Sequence, residues 1–524
     1  MPAQVDKVIV TNLSELKKKY GPNGVTAIQA AVTALIAADQ KRGLASILVA
    51  VDDSATMKKL SGARVTSATN PKQNKRAIDA IYKALAPDYI LILGATDVIP
   101  HQDLKNPAYD PSPDGDPDKV AYGDIPYACE APYSQKPQDF FGPTRVVGRL
   151  PDVTHGKDPA YLVGLLEIAA AYAASAANEY QSYFGITAQI WQKSTSLSLT
   201  HTFGNDTELK PVPPNNDQWP AASLGQLAHF INCHGADTSS QFYGQPQSGA
   251  ASYPVALDAA YVPGKLTEGT VAAAECCYGG QLYDPALANG QMGMCNTYLA
   301  EKAYGFFAST TIAYGPSDSN AQADLICQYF LQSVLKGASL GRATLEARQN
   351  FVRTATPPDP SDVKTLAQFN LYGDPSITPV KAPTHRIAVM AKVGGPADSV
   401  ADRVARLERR RSLFQSGQTL AATEPQAHAT SKKPSKTVAA QLHDKARELG
   451  IDPRKTLSFE IKRPPAATKA MPKSLRAKSA PGRFHLVFGR RERVNAPAKI
   501  VRIVALVGKE VDGEVVSFSK IESR

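Results

Sequence analysis

Two residues with complementary chemistry follow two apolar runs near the middle of the chain. His234 follows the run at 227–233, and Cys277 comes two residues after the run at 270–275. A thiol is mostly protonated at neutral pH, whereas a neighbouring imidazole can accept its proton and later deliver it to a leaving amine. A cysteine and a histidine brought together in this way are suited to attack a peptide carbonyl, so the pair is a candidate for covalent hydrolysis.

Glycines accompany both reactive residues. Gly235 directly follows His234, and Gly279 lies two residues beyond Cys277. Glycine allows a sharp turn and leaves backbone N–H groups accessible, which is what stabilisation of an oxyanion requires. A cysteine in an apolar run is often a small core residue instead. Two complementary residues at such positions nevertheless favour the functional interpretation.

Short apolar runs bounded by glycine are typical of the central strands of a parallel sheet, where both faces are covered. The same pattern recurs nearer the N-terminus, where apolar runs at 7–10, 45–51 and 89–93 alternate with helical periodicity. Alternating strands and helices predict an α/β fold with a mostly parallel sheet. Since the carboxyl ends of such strands meet at one edge, we expect His234 and Cys277 to face one cleft.

The composition argues against several classes of protein. With 524 residues the chain is too long for a single core. It contains no apolar run of about 18 residues and no signal-peptide pattern at its start. Its six cysteines show no metal-ligand spacing. We therefore expect a cytoplasmic protein of several domains, without a membrane span, a metal or a cofactor.

Positive charge is concentrated in the last part of the chain. Residues 1–380 contain 28 Lys and Arg against 35 Asp and Glu, whereas residues 381–524 contain 30 against 13. A basic helix is predicted at 400–413, with mobile linkers rich in Ser, Ala and Pro at 415–436 and 462–481. Apolar runs near the end predict antiparallel strands in a small module. Opposite net charges favour docking of this region on the rest of the protein.

Several separated motifs together resemble the gingipain-type cysteine peptidases, which have a caspase-like fold. Two motifs contain the reactive residues, NCHG at 232–235 and ECCYG at 275–279. The second also fits the caspase frame Gln-Ala-Cys-x-Gly, here with the histidine 43 residues upstream of the cysteine. The other motifs are DYILILGATDVIP (88–100), GDIPY (123–127), VGRLP (147–151), FAST (307–310) and FNLYGDPS (369–376). The resemblance covers about residues 1–380, and nothing after them belongs to it.

The resemblance implies an architecture, a caspase-like three-layer sandwich with a mostly parallel sheet. We expect an N-terminal α/β subdomain at 1–155 and the catalytic domain at 156–380. A basic helix and flexible linker should occupy 381–440, and a basic, β-rich C-terminal module should occupy 441–524.

The resemblance also implies roles for individual residues. Cys277 corresponds to the nucleophile, His234 to the general base, and Asp124 to a carboxylate that orients the histidine. The N–H groups of Gly235 and Cys277 would form the oxyanion hole. Where the family has alanine before the nucleophile, this chain has Cys276, an alternative thiol whose side chain should point to the opposite face of the strand.

Two further residues are candidates for the substrate-binding pocket. Asp139 lies near the place where arginine-specific members hold the carboxylate for the P1 side chain, although a solvated loop acid is the alternative. Tyr314 follows the last sheet strand and would wall the same pocket, or be an ordinary loop aromatic. The resemblance thus implies a cysteine endopeptidase that cleaves protein substrates. In more detail, we expect cleavage after a basic P1 residue and regulation by the basic C-terminal region.

Two functions of other classes remain open on the sequence. The chain could be a catalytically inactive caspase-like scaffold that binds a partner, or a protein that binds nucleic acid through its basic tail. In bacteria, intracellular relatives of this family act in cell death or defence by cutting a pore-forming or effector protein, and such a target is the partner that the resemblance implies. Arg409–Arg411 and Lys432–Lys433 would then be sites of self-cleavage by a basic-specific enzyme.

Overall fold

The computed structural model describes residues 5–248, 252–381, 400–464, 482–495 and 499–524. Most of the linker predicted at 462–481 lies outside these ranges. The strands are β1 (Lys7–Thr11), β2 (Ser46–Ala50), β3 (Tyr89–Leu93), β4 (Gln102–Lys105), β5 (Val120–Gly123), β6 (Val146–Leu150), β7 (Tyr183–Ala188), β8 (Leu209–Val212), β9 (Ala228–Asn232), β10 (Gln241–Tyr243), β11 (Val255–Asp258), β12 (Val271–Ala274), β13 (Gly305–Ser309), β14 (Tyr314–Gly315), β15 (Phe369–Tyr372), β16 (Gln426–Thr430), β17 (Lys455–Lys462), β18 (Arg483–Phe488), β19 (Glu492–Asn495), β20 (Lys499–Arg502), β21 (Val504–Val511) and β22 (Glu514–Ser523).

The described helices are α1 (Leu13–Lys41), α2 (Ser54–Lys59), α3 (Pro71–Leu85), α4 (Ala160–Ala171), α5 (Gln192–Phe203), α6 (Ala221–Leu224), α7 (Met294–Ala300), α8 (Gln322–Leu335), α9 (Leu340–Thr354), α10 (Pro360–Gln368), α11 (Val400–Thr423) and α12 (Lys436–Glu448). Their ends carry the expected capping residues. In α9, for example, the Ser339 side chain accepts a hydrogen bond from the Arg342 N–H, which satisfies one of the free donors of the first turn.

Ten strands form one continuous sheet, in the order β2–β1–β3–β6–β15–β13–β12–β9–β7–β8. The first five are parallel to their neighbours, and so are the last five. The two groups meet at β15 and β13, which pair antiparallel. The predicted α/β fold with a mostly parallel sheet is confirmed. Strands from both sides of residue 155, the predicted subdomain boundary, belong to this one sheet.

Helices cover the sheet in two groups, as a three-layer sandwich requires. In one group α4 contacts α1 and α7, and in the other α8 contacts α5, α9 and α10. The helix α8 lies against β12 and buries Ile326, Phe330 and Val334 completely. The sequence of β12 is Val-Ala-Ala-Ala, and its small side chains let the helix pack closely over the strand that leads to Cys277.

The C-terminal module is a second, antiparallel sheet in the order β14–β22–β21–β18–β17–β16. Its first strand, β14, comes from the segment that follows β13 of the large sheet, so the C-terminal strands pair directly with that part of the chain. The helix α12 covers β21 and β22 and buries Val438 and Leu442. The structure therefore shows the antiparallel strands predicted near the end of the chain.

The prediction of a flexible linker at 415–436 is wrong for residues 415–430. Residues 415–430 contain the end of α11 and the strand β16, and the side chains of Leu420 and Ala427 lie in the main hydrophobic core. The absence of a side chain at Gly417 allows α11 to approach the Pro143 carbonyl closely. Composition predicted mobility because it does not record these long-range contacts.

Candidate active site at the ends of β9 and β12

The strands that carry the two reactive residues are parallel neighbours. β9 and β12 pair in register from Ala228 opposite Val271 to Ile231 opposite Ala274. Just beyond β9, the His234 backbone exchanges two hydrogen bonds of 2.8 Å with Tyr243. This exchange fixes the histidine at the same sheet edge as the turn that contains Cys277.

Gly235 lies directly against the backbone of Cys277. A Cβ atom at Gly235 would overlap the carbonyl group of Cys277, so a side chain at this position would push the nucleophile turn away. The turn itself contains Tyr278 with a φ of 56°, a conformation that non-glycine residues adopt rarely. The Tyr278 hydroxyl donates to Asp118 at 2.9 Å and helps to hold that conformation.

The two ring nitrogens of His234 differ in their hydrogen bonding. The Nε2 atom lies 2.7 Å from Oε1 of Gln245, and the amide oxygen can only accept. Nδ1 is buried and has no hydrogen-bond partner among the described residues. The histidine is therefore the Nε2–H tautomer, and its free Nδ1 is the atom that can accept a proton. Trp191 and Tyr253 hold the ring, with centroid distances of 4.4 and 5.0 Å.

The two adjacent thiols have different surroundings. The sulfur of Cys277 accepts a hydrogen bond from the Ala313 N–H at 3.3 Å. The sulfur of Cys276 lies 3.9 Å from the Ile231 carbonyl oxygen in the neighbouring strand β9. Both side chains are buried, but the two contact different segments, as strand alternation predicts.

The last residue of the chain lies in this site. The carbonyl oxygen of Arg524 accepts a hydrogen bond of 3.3 Å from the Cys277 N–H, one of the two donors predicted for the oxyanion hole. The Arg524 N–H donates to the Ala313 carbonyl at 3.0 Å. The backbone of Arg524 thus lies against Cys277, with its carbonyl group directed at a backbone donor.

The side chain of Arg524 fills a buried pocket next to the nucleophile. Its Nη2 atom donates to Asp324 at 2.6 Å and to the Pro316 carbonyl at 2.7 Å. Its guanidinium carbon lies 4.4 Å from the centroid of a Trp191 ring, a cation–π contact. Gly315 forms another wall, because a Cβ there would collide with the guanidinium group. The pocket combines one close carboxylate, a carbonyl and an aromatic face, and these groups are complementary to a planar cation.

A second carboxylate lies deeper in the pocket. Glu275 is completely buried, and its Oε2 atom is 3.9 Å from Nε of Arg524. Burial and then the negative charge of Asp324 raise the pKa of Glu275 well above its usual value. Burial also raises the pKa of Asp324, while the Arg524 charge opposes that shift. Asp324 is held in place by the Asn232 amide at 3.2 Å.

The Cys277 thiol and the His234 imidazole are both uncharged in this arrangement. Burial raises the pKa of Cys277 to about 12, and burial lowers the pKa of His234 to about 3. At neutral pH the thiol keeps its proton and the imidazole stays neutral. Both shifts have the same cause, the exclusion of water from the site.

Asp124 does not contact His234, so its expected role is corrected. Its carboxylate binds Arg149 through two hydrogen bonds of 2.7 and 2.9 Å and lies 3.0 Å from Nδ1 of His101. Burial alone would raise the pKa of Asp124. The charge of Arg149 and then that of His101 outweigh this effect and hold the pKa below its usual value. His101 contacts Tyr372 at 3.4 Å, and the Tyr372 hydroxyl donates to the Gly280 carbonyl. Asp124 therefore supports the turn after the nucleophile rather than the histidine.

Neither residue proposed for the P1 pocket has its side chain in the pocket. Asp139 is exposed, and its neighbour Gln138 donates to the Ala427 carbonyl of β16 at 2.9 Å. Four strand spacings, roughly 19 Å, separate β16 from β22 in the six-stranded sheet. Tyr314 borders the site through its backbone in β14, but its hydroxyl donates to Asp116 at 2.8 Å.

The carboxylates and the aromatic residue of the pocket were not predicted, because they come from segments far apart in the sequence. Trp191 follows β7, Asp324 lies in the first turn of α8, and Glu275 ends the run before the nucleophile. A sequence signal existed for Glu275, since a carboxylate in an apolar strand must have a charged or polar partner. No comparable signal marked Trp191.

A cavity of about 580 Å³ opens beside the nucleophile turn. It is lined by Tyr278 and Gln281 from that turn, by Asp118 and Lys119, and by Asp237 after β9. Because Tyr278 directly follows Cys277 in the chain, the cavity adjoins the candidate nucleophile.

Within the described ranges, no group of three or more His, Cys, Asp or Glu side chains is placed to hold a metal ion. The helices described in the structure also include none that is long and apolar enough to cross a membrane.

No protein-family model matches the chain. The search of curated proteins likewise gave no match. Among solved structures, the chain is similar to one described as "Structure of Protease", with a TM-score of 0.47 and 11% sequence identity. The alignment covers 100% of this chain and 98% of that chain.

Proposed function

We propose that this chain is a cysteine endopeptidase that cleaves proteins after arginine. The observation that carries the proposal is the position of Arg524. Its carbonyl oxygen lies at the Cys277 N–H, and its side chain lies in a pocket with Asp324 and Trp191. One residue thus occupies both the place of a reacting carbonyl and the place of the P1 side chain.

In the proposed reaction, Nδ1 of His234 accepts the proton of the Cys277 thiol as the sulfur attacks the carbonyl carbon. A C–S bond forms, and the N–H of Cys277 stabilises the oxyanion. The C–N bond then breaks, and the histidine returns the proton to the leaving amine. A water molecule hydrolyses the thioester in the second half of the reaction and restores the thiol.

The pocket favours arginine over lysine in this proposal. The planar guanidinium group can donate to Asp324 and Pro316 while it stacks on Trp191, whereas a lysine ammonium can make the charge contact but not the stacking. Gln245, which accepts the Nε2–H of His234, fixes the tautomer in the role that was expected of Asp124.

Cleavage of peptides that differ at P1 tests this function. Cys277→Ala should abolish cleavage of an arginyl peptide, because the nucleophile is lost, and Cys276→Ala should retain most of it, because that sulfur faces β9. Release of a fluorescent amine from arginyl, lysyl and alanyl peptides gives the rates. An active Cys277→Ala variant together with an inactive Cys276→Ala variant would show that the nucleophile is Cys276 and not Cys277.

The inactive scaffold is less favoured, since the thiol, the proton-accepting nitrogen and the backbone donor are all present. Binding of nucleic acid through the basic region is also less favoured. Three of its cations are used inside the protein, where Lys455 pairs with Asp110, Arg410 with Asp88 and Arg524 with Asp324. A pore-forming or effector protein as substrate remains a proposal.

A further inference from the structure

The strand β22 lies along the catalytic part of the protein as an added sheet strand. Tyr314 and Gly315 of β14 pair antiparallel with Ser523 and Glu522. The Arg524 N–H continues this pairing to the Ala313 carbonyl at 3.0 Å. Extended peptides bind to exposed strands in this manner, through backbone hydrogen bonds that do not depend on sequence.

Side chains of the same strand add contacts on both sides of the backbone. Glu522 is buried and accepts a hydrogen bond of 3.2 Å from the indole N–H of Trp191. Lys520 pairs with the other oxygen of Glu522 at 2.7 Å. Together with the Arg524 side chain, these contacts fill the space on the acyl side of the cleft, and they leave the Cys277 and His234 side chains buried.

The other edge of β22 belongs to the C-terminal module. It pairs with β21 over its whole length, from Val504 opposite Glu522 to Val511 opposite Glu514. The Ser523 hydroxyl adds bonds of 2.9 Å to Val501 and Ile503. The strand in the cleft is therefore also paired as part of a folded sheet.

The module is also packed firmly on the catalytic part. Phe459, Phe484 and Ile521 belong to the same continuous hydrophobic core as the strands of the large sheet. Lys455 forms an ion pair with the buried Asp110, and Arg491 donates to a loop carbonyl in the 104–143 segment at 3.0 Å. A strand held this way has a very high effective concentration at the cleft.

We propose that β22 and Arg524 act as a built-in occupant of the substrate cleft, which keeps Cys277 from reacting until the strand is displaced. The proposal rests on the peptidase function described above. Protein substrates would bind as β22 does, by pairing with β14 and placing an arginine beside Asp324. Substrate and strand therefore compete for one site.

Two measurements on the full chain test the occupancy. The first is the rate at which iodoacetamide alkylates Cys277, followed by mass spectrometry, and it does not require peptidase activity. The second is the rate of cleavage of a short arginyl peptide. Arg524→Ala removes the contacts with Asp324, Pro316 and Trp191, and it should raise both rates by about tenfold or more, as expected for loss of a charge-assisted hydrogen bond.

Arg447→Ala is the matched control. Arg447 lies on the exposed side of α12 in the same module and pairs only with Asp444 among the described residues. This variant should match the wild type in both rates. Arg524→Lys keeps the charge and should give rates between those of the wild type and Arg524→Ala.

A peptide added in trans distinguishes occupancy from a loss of folding. A synthetic peptide with the sequence of residues 515–524 should slow alkylation of the Arg524→Ala protein, and the same peptide with alanine in place of its final arginine should not. Faster alkylation without any cleavage would support the occupancy and reject the peptidase. If Arg524→Ala had the same alkylation rate and the same cleavage rate as the wild type, the occupancy would be overturned, and the proposed peptidase function would remain.

Discussion

At the scale of single residues, the pocket of Arg524 contains two carboxylates with unequal contacts. Asp324 makes the close contact with the guanidinium group, whereas Glu275 lies farther from it and has a pKa raised by burial. In the proposed function, the negative charge that selects an arginine is therefore that of Asp324, with Glu275 as a second, weaker contact.

We predict that Asp324→Asn lowers the ratio of kcat/KM for an arginyl peptide to kcat/KM for an alanyl peptide by about 10- to 100-fold, since a hydrogen bond to a charged group contributes about 1.5–3 kcal/mol. The ratio is the relevant quantity because loss of the contact between Asp324 and Arg524 opens the cleft equally for both peptides, whereas only the arginyl side chain reaches the carboxylate. Asp139→Asn is the control, and steady-state kinetics of both peptides should show no change in that variant. An equal loss in the two Asp variants would point to a general effect of charge.

The positions of His234 and Cys277 beyond neighbouring strands could be predicted from the sequence, but the residues that surround them could not. His234 and Cys277 follow apolar runs at sites where parallel strands end, and this local pattern is visible in one sequence. Gln245 reaches the histidine from the segment after β10, and Asp324 reaches the pocket from a helix. Such contacts depend on tertiary packing, so Asp124 was assigned to the histidine by resemblance, although it binds Arg149 and His101.

At the scale of elements, the close approach of two turns builds the site. The segment after β9 and the segment after β12 touch at Gly235 and Cys277, with no room for a Cβ atom between them. The parallel pairing of the two strands fixes this distance, since a shift of either strand by one residue would turn its side chains to the other face of the sheet.

Gly235→Ala should therefore reduce cleavage by more than about 100-fold, because the new methyl group displaces the carbonyl of Cys277 and, with it, the reacting sulfur. Gly164→Ala provides a control in the helix α4, where an added Cβ meets nothing within 4 Å. That control should keep full activity and gain about 0.5–1 kcal/mol in free energy of unfolding. Peptide kinetics and urea unfolding of both variants check the prediction. Normal activity in Gly235→Ala would mean that the turns can separate without loss of function.

Alternation of strands and helices predicted a mostly parallel sheet, but not its division into two groups of strands that run in opposite directions. The antiparallel pairing of β13 with β15 reverses the direction of half of the strands, and nothing in the apolar pattern of either strand specifies direction. The pairing of β14 with β22 could not be predicted from the sequence either, because it joins residues about 200 positions apart and β14 has only two residues.

At the scale of the whole molecule, several histidines are enclosed in the core. His229 is fully buried between the Tyr298 hydroxyl, 3.0 Å from Nδ1, and the Gln226 carbonyl, 2.9 Å from Nε2. Burial lowers the pKa of His229 to about 4 from the ordinary value of 6.5. The folded protein holds this ring neutral, whereas the unfolded chain takes up a proton as the pH falls below 6.5.

Its contribution to stability is therefore present above pH 6.5 and is lost as the pH falls towards 4. Between pH 7 and pH 4.5 this one group should lower the free energy of unfolding by about 2.5 kcal/mol. In His229→Gln the decrease over the same interval should be smaller by that amount, as measured by urea unfolding at both pH values. His155→Gln, at an exposed position, should show the wild-type decrease. Identical pH dependence in all three proteins would show that His229 does not titrate on unfolding.

The strand that fills the cleft is synthesised later than the residues that form the cleft. The residues that form the cleft, from Trp191 to Asp324, leave the ribosome long before β22 does. At about 5–20 residues per second, the 200 or so residues from Asp324 to Arg524 require roughly 10–40 s. For that interval each new molecule has a complete cleft without its occupant. A permuted gene that encodes the C-terminal module first would remove the interval, so the order of translation itself determines how long a newly made chain exposes its thiol.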